Sequence, residues 1–224
     1  MSWPFGRRQP ELHEYLIYIL DMCFSELEDI IKHERDASYR PSPCAIVGLY
    51  LFSREKLYEL GVSTEHHDNK FDEYVIKLRT MYNENLQETL KEFLTILDQK
   101  LSRLERSLEG YKIDLENNNI TANDPSEFDH DIIFARDDIE YFIRGFKVLY
   151  HNKDIVELKR INEKRMKKID EKLKEFLPKA IKAYVLEGYS FPKKERVPDI
   201  FWWWKILYEV TQKYSRNDTE NIIR

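Results

Sequence analysis

Apolar residues recur three and four positions apart along most of this chain, and that spacing predicts helices. After Pro10 and Glu11, the residues Leu12, Tyr15, Leu16, Ile19, Leu20, Cys23, Phe24, Leu27, Ile30 and Ile31 fall on one face, and Arg40-Pro41-Ser42-Pro43 ends the run. Pro43 to Leu60 predicts a second helix with Gly61 as its C-terminal cap. The opening of that segment, AIVGLYLF, also fits a buried strand. Helix is the better reading because the chain offers no second strand to pair with it.

The third stretch carries the strongest signal. Beyond Ser63-Thr64, the residues Phe71, Tyr74, Leu78 and Met81 keep helical spacing, and after a four-residue slip strict heptads begin. Leu94, Leu101, Leu108 and Leu115 occupy one core position, and Leu90, Leu97, Leu104 and Tyr111 the other. A seam of that length, flanked by Lys91, Glu92, Asp98, Lys100, Arg103, Glu105 and Arg106, predicts a coiled coil. An unbroken helix from Asn69 to Leu115 would span roughly 70 Å. Gly110 is its weak point, costing about 1 kcal/mol relative to Ala.

The asparagines from Asn117 to Asn119 and Asn123-Asp124-Pro125-Ser126 read as a loop, with Ser126 capping a returning helix. Apolar spacing resumes at Ile132, is interrupted at His151-Asn152-Lys153-Asp154, and continues to Leu177. Pro178 then opens a short helix ending at Gly188, and a last helix runs from Asp199 to about Tyr214. The expectation is an all-α protein: an elongated helical bundle with a long antiparallel coiled-coil hairpin and a short C-terminal helical segment. Its segments, expected to form one structural domain, are a tip (1–9), a helical pair (10–62), the hairpin (63–177), aromatic helices (178–216) and a tail (217–224).

Composition narrows this picture. A chain of 224 residues buries roughly 70% of its unfolded surface, enough to fold without disulfides or metals. Cys23 and Cys44 show no metal-ligand spacing and sit in apolar stretches, which predicts buried thiols in a reducing compartment. Acidic residues at Glu11, Glu14 and Asp21 break any secretory apolar core, and the longest uncharged run, Pro41 to Ser53, is too short to span a membrane. A soluble cytoplasmic protein is expected. Charged residues make up 34% of the chain and glutamines are few, a balance that resembles thermophile proteins and that an AT-rich genome also favours.

Charge is uneven. Ten acidic residues lie between Glu109 and Glu140, whereas eleven basic and six acidic ones lie between Lys153 and Lys182. A nucleic-acid reading would use Lys159, Arg160, Lys164, Arg165, Lys167 and Lys168 as phosphate contacts. Against it stand the overall acidity and Glu163, Asp170 and Glu171, which suit a solvated face of i,i+4 pairs. Glu127-x-x-His130, His66-His67-Asp68 and Asp129-His130-Asp131 offer isolated metal-ligand types. A di-metal bundle needs a second Glu-x-x-His, which the chain lacks, so neither metal nor cofactor is expected.

Two local patterns carry family resemblances. Arg144 and His151, with six residues between them, resemble the motif of HEPN-type ribonucleases, dimeric helical bundles. That resemblance implies that Arg144 and His151 act together on an RNA backbone, although Gly145 stands where those proteins carry a polar residue. The start Phe5-Gly6-Arg7-Arg8 resembles that of ESCRT-III membrane-remodelling proteins, and it implies that Trp3, Phe5, Arg7 and Arg8 meet a membrane surface. The strongly basic first half of that family is missing here.

Trp202, Trp203 and Trp204 point about 100° apart around one helix, so a bundle covers two of them more easily than three. No phosphate loop, nucleophile elbow or Cys-centred site is present, and no small-molecule substrate is evident. The expectation is a non-enzymatic scaffold or adaptor that binds protein, including a second copy of itself. Its interface would be Leu90, Leu94, Leu97, Leu101, Leu104, Leu108 and the three tryptophans.

Overall fold

The computed structural model describes residues 11–32, 42–84, 86–120, 125–150, 156–189, 191 and 201–221. All regular structure among them is helical: α1 (Leu12–Lys32), α2 (Pro43–Glu59), α3 (Glu65–Asn83), α4 (Leu86–Glu116), α5 (Pro125–Phe128), a π-helical segment (Asp129–Phe134), α6 (Ala135–Leu149), α7 (Val156–Leu186) and α8 (Trp202–Asn221). Among the described residues no helix is long and apolar enough to cross a membrane.

Local chemistry explains most boundaries. AIVGLYLF is helical, with Pro43 in the first turn of α2, where its missing N–H costs nothing. Gly61 closes α2 at φ 73°, donating to the Tyr58 carbonyl while the Val62 N–H reaches Leu57. Gly188 repeats the arrangement after α7 at φ 89°, with Tyr189 reaching back to Tyr184. Only a residue free of a Cβ takes these left-handed conformations without strain.

Two expected helix boundaries are corrected. The helix expected from Asn69 to Leu115 is two helices, α3 and α4. The phase slip is the reason: a continuous helix would rotate Leu90 about 120° away from the face of Leu78. Conversely, Pro178 lies inside α7 instead of opening a new helix. An interior proline costs about 3 kcal/mol, but Ala180, Ile181, Tyr184 and Val185 beyond it are all buried, and each large apolar side chain contributes roughly 1.5–3 kcal/mol. At its weak point α4 stays continuous: it runs through Gly110, whose surroundings are open.

The chain forms two compact units, Met1–Leu94 with Asp138–Ile155 and Thr95–Asp137 with Val156–Arg224. In the first, Leu20, Leu27, Val47, Tyr50, Leu57, Leu78 and Phe142 are fully buried. Tyr50 stacks on Phe71 at 3.9 Å between ring centroids, and Phe24 packs against Tyr50, Tyr74 and His67. Here α2 and α6 touch backbone to backbone. A Cβ on Gly48 would lie 1.8 Å from the Tyr141 carbonyl oxygen, and one on Gly145 would lie 1.8 Å from that of Cys44.

In the second unit Leu101, Leu104, Leu173, Leu177, Phe128 and Trp203 are sealed from solvent. The contacts fix the helix directions. Arg103 pairs with Asp131 and Tyr111 meets Phe128 edge-on, so the π-helical segment runs opposite to α4. Arg165 pairs with Asp98 and Glu105, and Lys172 with Glu109, so α7 runs in the same direction as α4. The stretch from Ile132 to Leu177 is therefore not one returning arm. It is divided between helices of opposite direction.

Candidate functional site

The heptad leucines are covered by the chain itself. Leu90 in the first unit and Leu97, Leu101, Leu104 and Leu108 in the second are buried, and Leu94 is half-buried.

Arg144 sits on α6 and donates from one terminal nitrogen to both Glu55 carboxylate oxygens at 2.9 Å. Its other terminal nitrogen is buried without a partner among the described residues. The next residue, Gly145, is small because the α2 backbone occupies the space a side chain would need. His151 lies outside the described residues, as do Trp3, Phe5, Arg7, Arg8 and the side chains of Lys159 and Arg160.

On α7, Lys164, Lys167 and Lys168 are exposed. Arg165 is not available in the same way. Its guanidinium binds Asp98, Ser102 and Glu105, and that hydrogen bonding holds the Glu105 carboxyl below the usual range. Glu163, Met166, Lys167, Asp170, Glu171 and Lys174 line an open trough of about 300 Å³ along this helix.

The tryptophan triplet is organised by a residue that periodicity did not single out. Asp137 accepts hydrogen bonds from the indole N–H of both Trp203 (2.9 Å) and Trp204 (2.8 Å), and all three are buried. Arg136, also buried, stacks 4.2 Å over the Trp203 ring and pairs with Asp170 at 3.0 Å. Trp202 is half-buried beneath the Lys174 ammonium. A sequence signal for this cluster exists: Arg136 and Asp137 fall in phase with Ile132, Ile133 and Ile139, which marks them as charges on a buried face.

The second missed residue is Asp129, at the start of the π-helical segment, where the Ala135 N–H reaches the His130 carbonyl five residues back. Its side chain is only 5% exposed. One carboxyl oxygen accepts the Tyr189 hydroxyl at 3.0 Å and the other has no partner among the described residues. Burial pushes the Asp129 carboxyl up, against the opposing effects of the Tyr189 hydrogen bond and the His130 charge. Its neighbours Glu127 and His130 are exposed. Among the described residues no three His, Cys, Asp or Glu side chains converge as a metal cage.

The thiols are placed as inert groups. Cys23 and Cys44 are free and buried, and desolvation raises the Cys23 thiol to about 12, so neither is ionised enough to act as a nucleophile. Asp68 gathers the hydroxyls of Tyr50 (3.0 Å) and Thr64 (2.9 Å), with Arg54 at 3.7 Å, and ties α2 to the start of α3. Comparison with known protein families, with curated proteins and with solved structures finds no match for this chain.

Proposed function

We propose that this protein is a non-enzymatic helical scaffold that acts by binding protein, a second copy of itself included. In this reading the leucine seam is closed within one chain, and the partner meets outer helix faces. The observation that carries the proposal is the set of large apolar side chains left on those faces: Tyr58 is 81% exposed, Ile76 61% and Leu186 56%. Such side chains become interface anchors when a partner desolvates them. The groups that an RNA-cleaving or phosphate-binding site would use are occupied in part, Arg144 by Glu55 and Arg165 by Glu105.

Light scattering on a sizing column tests this, with the absorbance ratio recorded. A nucleic-acid-free species at twice the 27.2 kDa chain mass, converted to a folded monomer by Tyr58→Glu with Ile76→Glu, is the expected result. A monomer that carries nucleic acid and loses it when Lys164, Lys167 and Lys168 become Glu would replace this reading with RNA binding.

A further inference from the structure

We propose that Asp129 and Tyr189 form a proton-operated latch between the π-helical segment and the chain just beyond α7, closed when Asp129 is protonated and weakened when it is ionised. The latch is independent of the scaffold reading, because it concerns the interior of the second unit.

The geometry is that of a carboxyl group short of partners. Asp129 is only 5% exposed, and the residue before it, Phe128, is sealed among Phe176, Tyr184 and Phe191 with ring centroids 5.2–6.2 Å apart. Into that setting the Tyr189 hydroxyl brings a single hydrogen bond, and the second carboxyl oxygen has none among the described residues. An ionised carboxylate needs two or three donors to offset the loss of water, and one is too few. Protonation removes the cost of the buried charge, which outweighs the stronger hydrogen bond that Tyr189 gives the carboxylate. Tyr189 is itself held by the Gly188 turn, so the hydrogen bond ties that turn to the start of the π-helical segment.

Among the described residues, the groups that act on Asp129 are few. On its own segment, His130 contributes an opposing charge and Asp131 is committed to Arg103 of α4. From the turn beyond α7 comes the Tyr189 hydroxyl. From α4, Tyr111 meets Phe128 edge-on.

A group held in its protonated form by the fold contributes stability at low pH, and that contribution is lost as pH rises from the ordinary aspartate value of 3.8 through the folded value. Acidification therefore tightens the latch. The test uses the full chain and two variants, Asp129→Asn and Tyr189→Phe, followed by carboxyl-carbon NMR and amide hydrogen exchange from pH 4 upward.

In the unaltered chain, Asp129 is expected to titrate above 3.8. Protection of residues 129–134 and 187–189, taken relative to Asp129→Asn at the same pH, falls as it does so, roughly tenfold for each pH unit of elevation. Asp129→Asn stays protected throughout. Tyr189→Phe loses protection at every pH, and its Asp129 titrates higher still. An Asp129 that titrates at or below its ordinary value overturns the latch, and so does a protection ratio that stays flat with pH.

Discussion

The two units bring helices together by opposite means. In the first, α2 and α6 approach by having no side chain at the contact: Gly48 lies against the Tyr141 backbone and Gly145 against that of Cys44. In the second, the helices carry the largest side chains of the molecule at their contact, and polar partners are supplied to match, with Asp137 for two indoles and Asp170 for Arg136. The lesson concerns tolerance. A backbone contact cannot adjust to an added carbon, whereas the aromatic contact depends on keeping its hydrogen-bond acceptor.

The sharpest way to break the comparison is at the glycines. Gly48→Ala and Gly145→Ala should each cost about 3 kcal/mol, read from urea midpoints, because the new Cβ meets backbone that cannot move alone. A loss below about 1 kcal/mol would show that α2 and α6 separate cheaply.

Next in size is Asp137→Leu, which leaves two buried indole N–H groups unpaired at a cost of about 2 kcal/mol. Asp137→Asn keeps an acceptor and should cost less. Near-UV circular dichroism of Trp203 and Trp204 separates a local change from global unfolding.

A smaller effect is expected at the rim of the second unit. Arg165 holds the Glu105 carboxyl below its ordinary value of 4.5, so this pair stabilises the fold above that pH and the contribution is lost as pH falls through the folded value. Arg165→Gln should flatten the acid limb of the stability curve by up to about 1 kcal/mol, because the pair is part-exposed. The last and smallest prediction is a gain. Gly110→Ala should add about 0.5–1 kcal/mol, since α4 is continuous there and nothing stands within 4 Å of the added carbon.

The helices were largely legible from spacing. The burial of Leu97, Leu101, Leu104 and Leu108, the cap at Gly61 and the buried thiols all follow from residues read in order. The candidate sites were less so. Arg144 reads from sequence as half of a catalytic pair, but its carboxylate partner lies 89 positions away. Asp129 reads as a loop or metal-ligand residue, and its hydrogen-bond partner Tyr189 lies 60 positions away.

Periodicity by itself determined that this chain is helical and which faces of its helices are apolar, because a helical repeat is a local property of neighbouring residues. Tertiary structure alone decided which faces meet. The heptads of α4 accept a partner in either direction, and contacts across the unit set the π-helical segment opposite to α4 and α7 alongside it. It also decided that Pro178 is tolerated, that Gly145 is a contact and not a missing polar residue, and that Asp137 is the acceptor for two tryptophans. Each of these depends on free energies shared between residues far apart in sequence, and no local pattern records them.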